Sequence, residues 1–414
     1  MKKEDCRTHG VLTRGARPIA RRTFLAHSGA ALLTTTVAGC SRLGTDNRPP
    51  QAANRAAAPA EFVQLEPLRA TPDRITAITV CTRPFRAQGP RLDVERLVGK
   101  TVVHNYGHGG SGWSLSWGSS AIAVDRAMAS GERQIAVIGC GAMGLTSALL
   151  LQRAGAHVTI YTKELPPNVR SSLATGLWTP DSRICFEEYA TPAFKQLWEG
   201  MARRSFATYQ TFLGLPATPV EFIDLYWVSD TAAGSGRDLR SDDSRPRFAE
   251  LQSELIPELL TSSQEFPPGS HSLGARYLRR NAQMMFNLSA YTRQLMSDFL
   301  ANGGQIRIEE FRATADLVRV RERTLINATG YGARALFNDP SLTPVRGQLA
   351  RAIPEPRVDY GLIYNGVAFV PRRDGLVFQV IGDNDYYGFG DETTNPNRNE
   401  AELAVNTIAA LYRH

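Results

Sequence analysis

From residue 75 onward, apolar and polar positions fall into two kinds of block. Short unbroken apolar runs suited to buried parallel strands occupy 134–138, 157–161 and 324–330, the last ending in a glycine loop. Between the first two lies 145–155, with helical spacing and Gly155 as its stop. This is a strand–helix–strand unit, with Gly139-Cys140-Gly141-Ala142-Met143-Gly144 at its first junction. Segments 216–228 and 346–382 instead alternate apolar with polar residues, which predicts half-buried antiparallel strands in a separate sheet. A helix is expected over 400–412, and 234–246, dense in Gly, Asp, Ser and Arg, reads as an exposed loop. There is no internal repeat.

A second glycine turn precedes that unit. Val102-Val103-His104-Asn105-Tyr106-Gly107-His108-Gly109-Gly110-Ser111-Gly112-Trp113-Ser114 ends an apolar strand and turns the backbone into a small-residue helix over 116–128. Such turns bring bare N–H groups close to a ligand and aim a helix N-terminus at it. Two in succession imply one extended, phosphate-bearing cofactor held by both. In the second turn Gly139 suits a tight turn, Gly141 backbone approach to a pyrophosphate, and Gly144 close helix–strand packing. An acid is expected at the end of the second strand to grip ribose hydroxyls, but Thr162-Lys163-Glu164 stands there. Either Glu164 or a backbone group substitutes, or Lys163 is a solvated charge, or Lys163 reads the 2′-phosphate of NADP.

At 414 residues the chain is long enough for two domains or one large α/β unit. Its net charge of +7 is concentrated at the front, where residues 1–40 carry +5 and leave about +2 for the rest. That distribution, without an aromatic-interleaved basic stripe, argues against nucleic acid as a partner. Arg21-Arg22-Thr23-Phe24-Leu25 is a twin-arginine pattern, followed by a weakly apolar stretch, 26–37, too short and polar to span a membrane. Val37-Ala38-Gly39-Cys40 resembles a lipobox, in which the cysteine is lipidated; the alternative is a Tat-type signal cleaved nearby without lipid. The expectation is export by the Tat pathway to the periplasmic face of the cytoplasmic membrane, with a lipid anchor at Cys40. Residues 41–74 read as a flexible tether. Beyond it, Cys81, Cys140 and Cys185 match no metal spacing, and a Cys81–Cys185 disulfide is an option the sequence leaves open. Neither a metal cluster nor a serine or cysteine nucleophile arrangement is visible.

His104-Asn105-Tyr106-Gly107-His108-Gly109-Gly110-Ser111-Gly112 resembles the signature of the D-amino-acid oxidase family of FAD enzymes. Ala174-Thr175-Gly176-Leu177-Trp178-Thr179-Pro180, Ile326-Asn327-Ala328-Thr329-Gly330, Pro344-Val345-Arg346-Gly347-Gln348 and Leu362-Ile363-Tyr364-Asn365 are similar to other family segments. Arg83-Pro84-Phe85-Arg86-Ala87-Gln88, with Arg91-Leu92-Asp93, resembles the family's substrate-arginine strand. The resemblance implies an α/β fold: a Rossmann-like FAD-binding domain and a second, mainly antiparallel-sheet substrate domain. The FAD-binding parts would be about 100–200 and 322–335, the substrate parts about 75–99, 201–321 and 336–399.

Segment order departs from the family. There the arginine strand and the histidine segment close the chain; here they precede the Gly139 turn. The chain therefore resembles a circular permutant, with the strand bearing the histidine segment expected beside the first nucleotide-binding strand. Permutation is tolerated where old termini lie close and the new break is exposed.

The implied reaction is oxidation of a D-amino acid to an imino acid. A hydride passes from the substrate Cα to flavin N5, and O2 then reoxidises the flavin to give hydrogen peroxide. Such chemistry depends on orientation more than on acid–base groups. Arg83 is the expected carboxylate clamp, Tyr364 a substrate cap, and the Gly110 carbonyl an acceptor for the amine. Amides from Gly110 through Ser114, with Gly109, Ser111, Gly112 and Trp113, are expected to stabilise negative charge on the reduced ring. Gly139, Gly141, Ala142, Met143 and Gly144 would hold the pyrophosphate region, with Lys163 and Glu164 near the ribose. Arg170, Ser171 and Ser172 would reach the phosphates, and Thr175, Gly176 and Leu177 pass the ring. His104 and His108 read as structural donors. A second family tyrosine is replaced by Ala368, and Thr179 is shorter than the usual amide, so substrate identity stays open. The alternatives are acidic D-amino acids as substrates, a glycine or secondary-amine oxidase, a dehydrogenase with another electron acceptor, and a flavin-loaded binding protein. Oligomeric state is not legible.

Overall fold

A computed structural model describes residues 62–232 and 244–413. The twin-arginine segment, the Cys40 motif and most of the 234–246 loop lie outside them.

The apolar runs become strands because they are buried on both faces. In chain order the elements are β1 (Ile75–Arg86), β2 (Val94–Leu97), β3 (Lys100–His104), α1 (Gly112–Met128), β4 (Gln134–Ile138), α2 (Ala142–Arg153) and β5 (His157–Thr162). There follow α3 (Pro192–Gln210), β6 (Val220–Ser229), the single turn α4 (Gln252–Leu255), β7 (Gln264–Phe266), β8 (Tyr277–Phe286), α5 (Leu288–Ala301) and β9 (Gln305–Ile308). The chain continues through β10 (Thr324–Asn327), the single turn α6 (Ala333–Leu336), β11 (Leu342–Ala352), β12 (Tyr360–Tyr364), β13 (Val367–Val370), β14 (Leu376–Val380) and α7 (Arg398–Ala409).

One sheet has six strands in the order β2-β3-β10-β4-β5-β9, parallel except for β2. Its period-two alternation is visible in β4: Ile135 and Val137 join the core shared with α1, α2, α3 and α5, whereas Ala136 and Ile138 face Tyr161, Leu317 and Leu325 on the other side. The second sheet has eight strands, β1-β11-β14-β13-β12-β6-β8-β7, antiparallel except where β12 meets β6. Helix α7 packs on β14, β11 and β13 and buries Ala401, Ala404, Val405 and Ile408 there. This is the expected α/β fold with a separate, mainly antiparallel sheet.

Four expectations change. The tether ends before residue 63: Leu65, Leu68 and Ala70 are buried in the α7 core, and Val63 bridges His271. Enough apolar surface sits at these positions to hold the segment down. Strands β2 and β9, expected in the substrate part, form the two edges of the six-stranded sheet. The histidine strand β3 is not adjacent to β4; β10 lies between and pairs with both. Cys81 and Cys185 are buried thiols, not a disulfide; burial alone pushes the Cys185 thiol up to about 12.

Candidate active site

Both glycine turns open onto one cavity of about 1610 Å³ between the C-terminal ends of the parallel strands and one face of the eight-stranded sheet. Ligands of open parallel sheets bind at that end because the helix N-termini point there.

In the second turn, Gly139 has φ +109°, and a Cβ there would stand 2.6 Å from the Ala328 carbonyl oxygen. A Cβ on Gly144 would stand 2.0 Å from the Gly139 carbonyl oxygen. Helix α2 therefore lies against its own strand, as the sequence predicts. Gly141 is the N-cap of α2 and has no side chain to satisfy the first-turn amides. The Ala142 amide donates to Ser171 Oγ at 3.0 Å.

Helix α1 is also uncapped, because the Ser111 hydroxyl donates to the Ser182 carbonyl instead of folding back. By contrast, Thr191 caps α3 and Asn397 caps α7. Within the first turn the Gly110 amide donates to the Ser182 carbonyl and the Ser111 amide to the His108 carbonyl, each at 2.9 Å. Those two donors are therefore unavailable to a ligand. Among the described residues, the amides of Gly112, Trp113 and Ser114 have no backbone acceptor, and they line the cavity. The negative charge expected near Gly110–Ser114 would thus be met by the last three of these amides.

The buried polar side chains behind this turn fix its shape. His108 Nε2 donates to Ser119 Oγ at 2.7 Å, and Ser119 donates onward to Asn105 Oδ1 at 2.7 Å. Asn105 Nδ2 then reaches Ser120 and Ser147, each at 3.2 Å. His104 accepts from Asn327 on Nδ1 and donates to Glu95 from Nε2, each at 3.0 Å. Burial pushes the His108 imidazole down to about 3, and burial with the Arg91 charge also lowers His104. Both are neutral and structural.

The cavity gathers most of the anticipated residues: Arg83, Gly109, Gly110, Gly112, Trp113, Ser114, Gly139, Gly141, Ala142, Met143, Lys163, Glu164, Arg170, Ser171, Thr175, Gly176 and Leu177. Lys163 and Glu164 are exposed at its rim, and Arg170 Nη1 donates to Thr82 Oγ1 at 2.7 Å. Segment 174–177 is held by Arg372, a buried side chain whose Nη1 donates to the Ala174 carbonyl at 2.7 Å while Asp374 neutralises it.

Four residues fall outside the lining. Gly144 packs behind the turn, Ser111 is tied to Ser182, and Ser172 is buried with its hydroxyl unpartnered. The fourth corrects a catalytic assignment. Ile363 lines the cavity, so the strand alternation turns Tyr364 to the opposite face with Leu362, where its hydroxyl donates to Asp230 at 3.0 Å. Tyr364 does not cap this site. Ala368, paired with Ile363 across β12–β13, does face the cavity, beside Leu225, Trp227, Gln283 and Gln379.

Arg83 projects from β1, and its Nη1 donates to the Arg346 carbonyl at 3.1 Å. It has no carboxylate partner among the described residues. Three further contributors were not anticipated. Glu309 and Glu310, at the end of β9 beside β5, line the rim near Lys163. Arg183 lines the same cavity as Arg83, and its side chain is only 10% exposed. Burial first, then the charge of Arg83, holds the Arg183 guanidinium down to about 10. No sequence pattern marks Arg183, because tertiary folding brings it to Arg83.

These features fit FAD. Two helix starts without a side-chain cap face one large cavity, with amides free for phosphate and ring oxygens, and small residues line the approach.

The profile of a family described as FAD dependent oxidoreductase (DAO) matches residues 134–413. A D-amino-acid oxidase of Rubrobacter xylanophilus is 28% identical over 286 residues, covering 66% of this chain and 76% of that protein. A D-amino-acid oxidase of Streptomyces coelicolor is 27% identical over 287 residues, covering 68% and 78%. Among solved structures, a glycine oxidase from Bacillus cereus aligns with TM-score 0.47 and 13% identity over 68% of this chain and 78% of its own.

Proposed function

The chain belongs to the FAD dependent oxidoreductase family, DAO, and from that premise we propose that it oxidises D-amino acids to imino acids with O2 as the final acceptor. One observation carries the reading. Arg83, a guanidinium without a carboxylate partner among the described residues, lines the same cavity as the open amides of α1 and α2. Two curated relatives described as D-amino-acid oxidases support it.

When bound, FAD supplies the two-electron acceptor: the substrate C–N single bond becomes C=N, and the two electrons and two protons removed end on O2 as hydrogen peroxide. The chain's own residues orient the substrate. Arg83 takes the α-carboxylate through parallel N–H donors, and the Gly110 carbonyl accepts from the amine. With Ala368 on the cavity wall and Tyr364 off it, Arg83 is the main grip on the carboxylate.

The test is anaerobic mixing of the FAD-loaded protein with D- and L-amino acids, followed by air. Flavin bleaching with D-isomers and peroxide on aeration supports the proposal. Bleaching without peroxide indicates a dehydrogenase, and a spectral shift without bleaching indicates a binding protein. Preference for L-isomers or for glycine would also overturn it. We also propose that residues 1–40 direct Tat export with lipidation at Cys40. Replacing Arg21 and Arg22 together by lysine should retain the protein in the cytoplasm on fractionation, and unchanged export would refute this.

The same reading treats the order of the arginine strand, the histidine turn and the Gly139 turn as a circular permutation. It is supported by the family match starting at residue 134, after both earlier segments.

A further inference from the structure

Arg183 is placed with unusual firmness for a loop arginine. Its backbone is in the left-handed region at φ +50°, which side-chain-bearing residues rarely adopt. The reason is contact with the first glycine turn. A Cβ on Gly109 would stand 1.9 Å from the Arg183 carbonyl oxygen, and the Gly110 amide donates to the neighbouring Ser182 carbonyl. The loop is thus locked to the turn that opens α1, and its side chain enters the cavity from there.

The charges around it are few. Arg183 Nε donates to the Asp385 backbone carbonyl at 2.5 Å, and Nη2 lies 3.4 Å from Asp385 Oδ1. That carboxylate side chain is 50% exposed. Among the described residues Nη1 has no hydrogen-bond partner. The adjacent Asp181 does not neutralise it, since its carboxylate accepts from the Leu251 and Gln252 amides and from the Gln252 side chain. Arg83, whose charge acts on Arg183, has only a backbone carbonyl as acceptor among the described residues. Two guanidiniums therefore line one cavity, and among the described residues the half-exposed Asp385 is the carboxylate ion-paired with either of them. Like charges held together with little solvent are stabilised by an anion that reaches both.

We propose that Arg183 is a specificity-determining residue that binds a second carboxylate of the substrate, so that the preferred substrates are dicarboxylic D-amino acids. This rests on the oxidase reading: Arg83 takes the α-carboxylate, Arg183 the distal one, and the bond that is oxidised is unchanged. An uncharged side chain of equal length would leave Nη1 unpaired in a largely desolvated place.

The experiment compares FAD-loaded wild type, Arg183→Met and Arg183→Lys. Turnover is followed with D-aspartate, D-glutamate and the neutral D-norvaline, and binding without turnover is followed by flavin spectral titration with succinate against propionate. Wild type should favour D-aspartate or D-glutamate over D-norvaline in kcat/KM by at least about tenfold. Arg183→Met should abolish that preference by raising KM for the dicarboxylates far more than for D-norvaline, with flavin content retained, and Arg183→Lys should restore part of it. Wild type should also bind succinate more tightly than propionate, and Arg183→Met should not. Equal binding of succinate and propionate by wild type, or a dicarboxylate preference unchanged in Arg183→Met, overturns the proposal. Arg183-dependent succinate binding without oxidation of any amino acid upholds the dicarboxylate site and overturns the oxidase reading instead.

Discussion

The Arg83 guanidinium lies flat over the backbone of Gly347: a Cβ at residue 347 would stand 2.6 Å from Arg83 Nη2. The two residues come from adjacent antiparallel strands, β1 and β11, and glycine at 347 is what lets the Arg83 side chain rest on the sheet.

Gly347→Ala should therefore displace Arg83, the proposed carboxylate clamp, without touching the glycine turns of the cavity. The side chain that must yield is long and flexible, so the fold survives. Loss of a charge-assisted hydrogen bond costs about 1.5–3 kcal/mol, which predicts a KM increase of roughly tenfold to a hundredfold at unchanged flavin content. Steady-state kinetics with flavin absorbance per chain check this. An unchanged KM would mean that Arg83 is not the carboxylate group.

Gly144→Ala acts on the other end. The added methyl meets the Gly139 carbonyl, which is backbone and cannot swing aside. Helix α2 has to lift from β4 and carry its open amides with it. Overpacking of this kind costs about 1–3 kcal/mol, so the purified variant should melt lower and retain less FAD than wild type. Full flavin occupancy at an unchanged Tm would show that this contact is not what seats the helix.

Much of this site is legible in the sequence because its geometry is local. Gly139, Gly141 and Gly144 act within six residues, and in the Gly107–Gly112 turn His108 bonds to Ser119 of the helix it opens. What is not legible depends on which strand face meets which layer. Ile363 and Tyr364 take opposite faces in any extended strand, but only the packing of Leu362 and Tyr364 toward α7 decides that the cavity takes Ile363. That packing is why Tyr364 misleads. Arg183 is invisible for a related reason: its partner lies 100 positions away in the chain. The edge strands β2 and β9 are short and half exposed, so they carry too few apolar residues to announce their sheet.

Acid should destabilise the fold through His108. Its ring is buried and neutral, held near 3 against an ordinary 6.5. An unfolded chain protonates this group first, so between those values the unfolded state binds more protons and stability falls as pH falls. The slope for one such group is on the order of 1.4 kcal/mol per pH unit. His108→Gln, which keeps a donor for Ser119, should lower Tm at neutral pH but flatten its decline toward acid. Equal slopes for the two proteins would assign acid sensitivity to other groups.

The proposed circular permutation makes a prediction about where the chain can be cut and joined. Tyr360 Oη donates to the Glu66 carbonyl at 2.5 Å and shares a 2.6 Å hydrogen bond with Tyr412 Oη. One hydroxyl thus ties the segment before β1 to the end of the last helical turn. Arg398 Nη2 at the start of α7 adds a hydrogen bond to the Pro72 carbonyl at 2.9 Å. A few residues of linker would join these ends without disturbing either sheet. The link from α1 to β4, Gly131-Glu132-Arg133, is largely exposed and joins elements held by their own packing. A chain opened there and closed between residues 412 and 66 would begin at β4, and the arginine strand and histidine turn would follow α7. If the present order is a permutation of the same fold, that rearranged protein should bind FAD and oxidise the same substrates with little change in KM. A rearranged chain that folds and melts cooperatively yet cannot take up the flavin would show that the two glycine turns depend on their present connection.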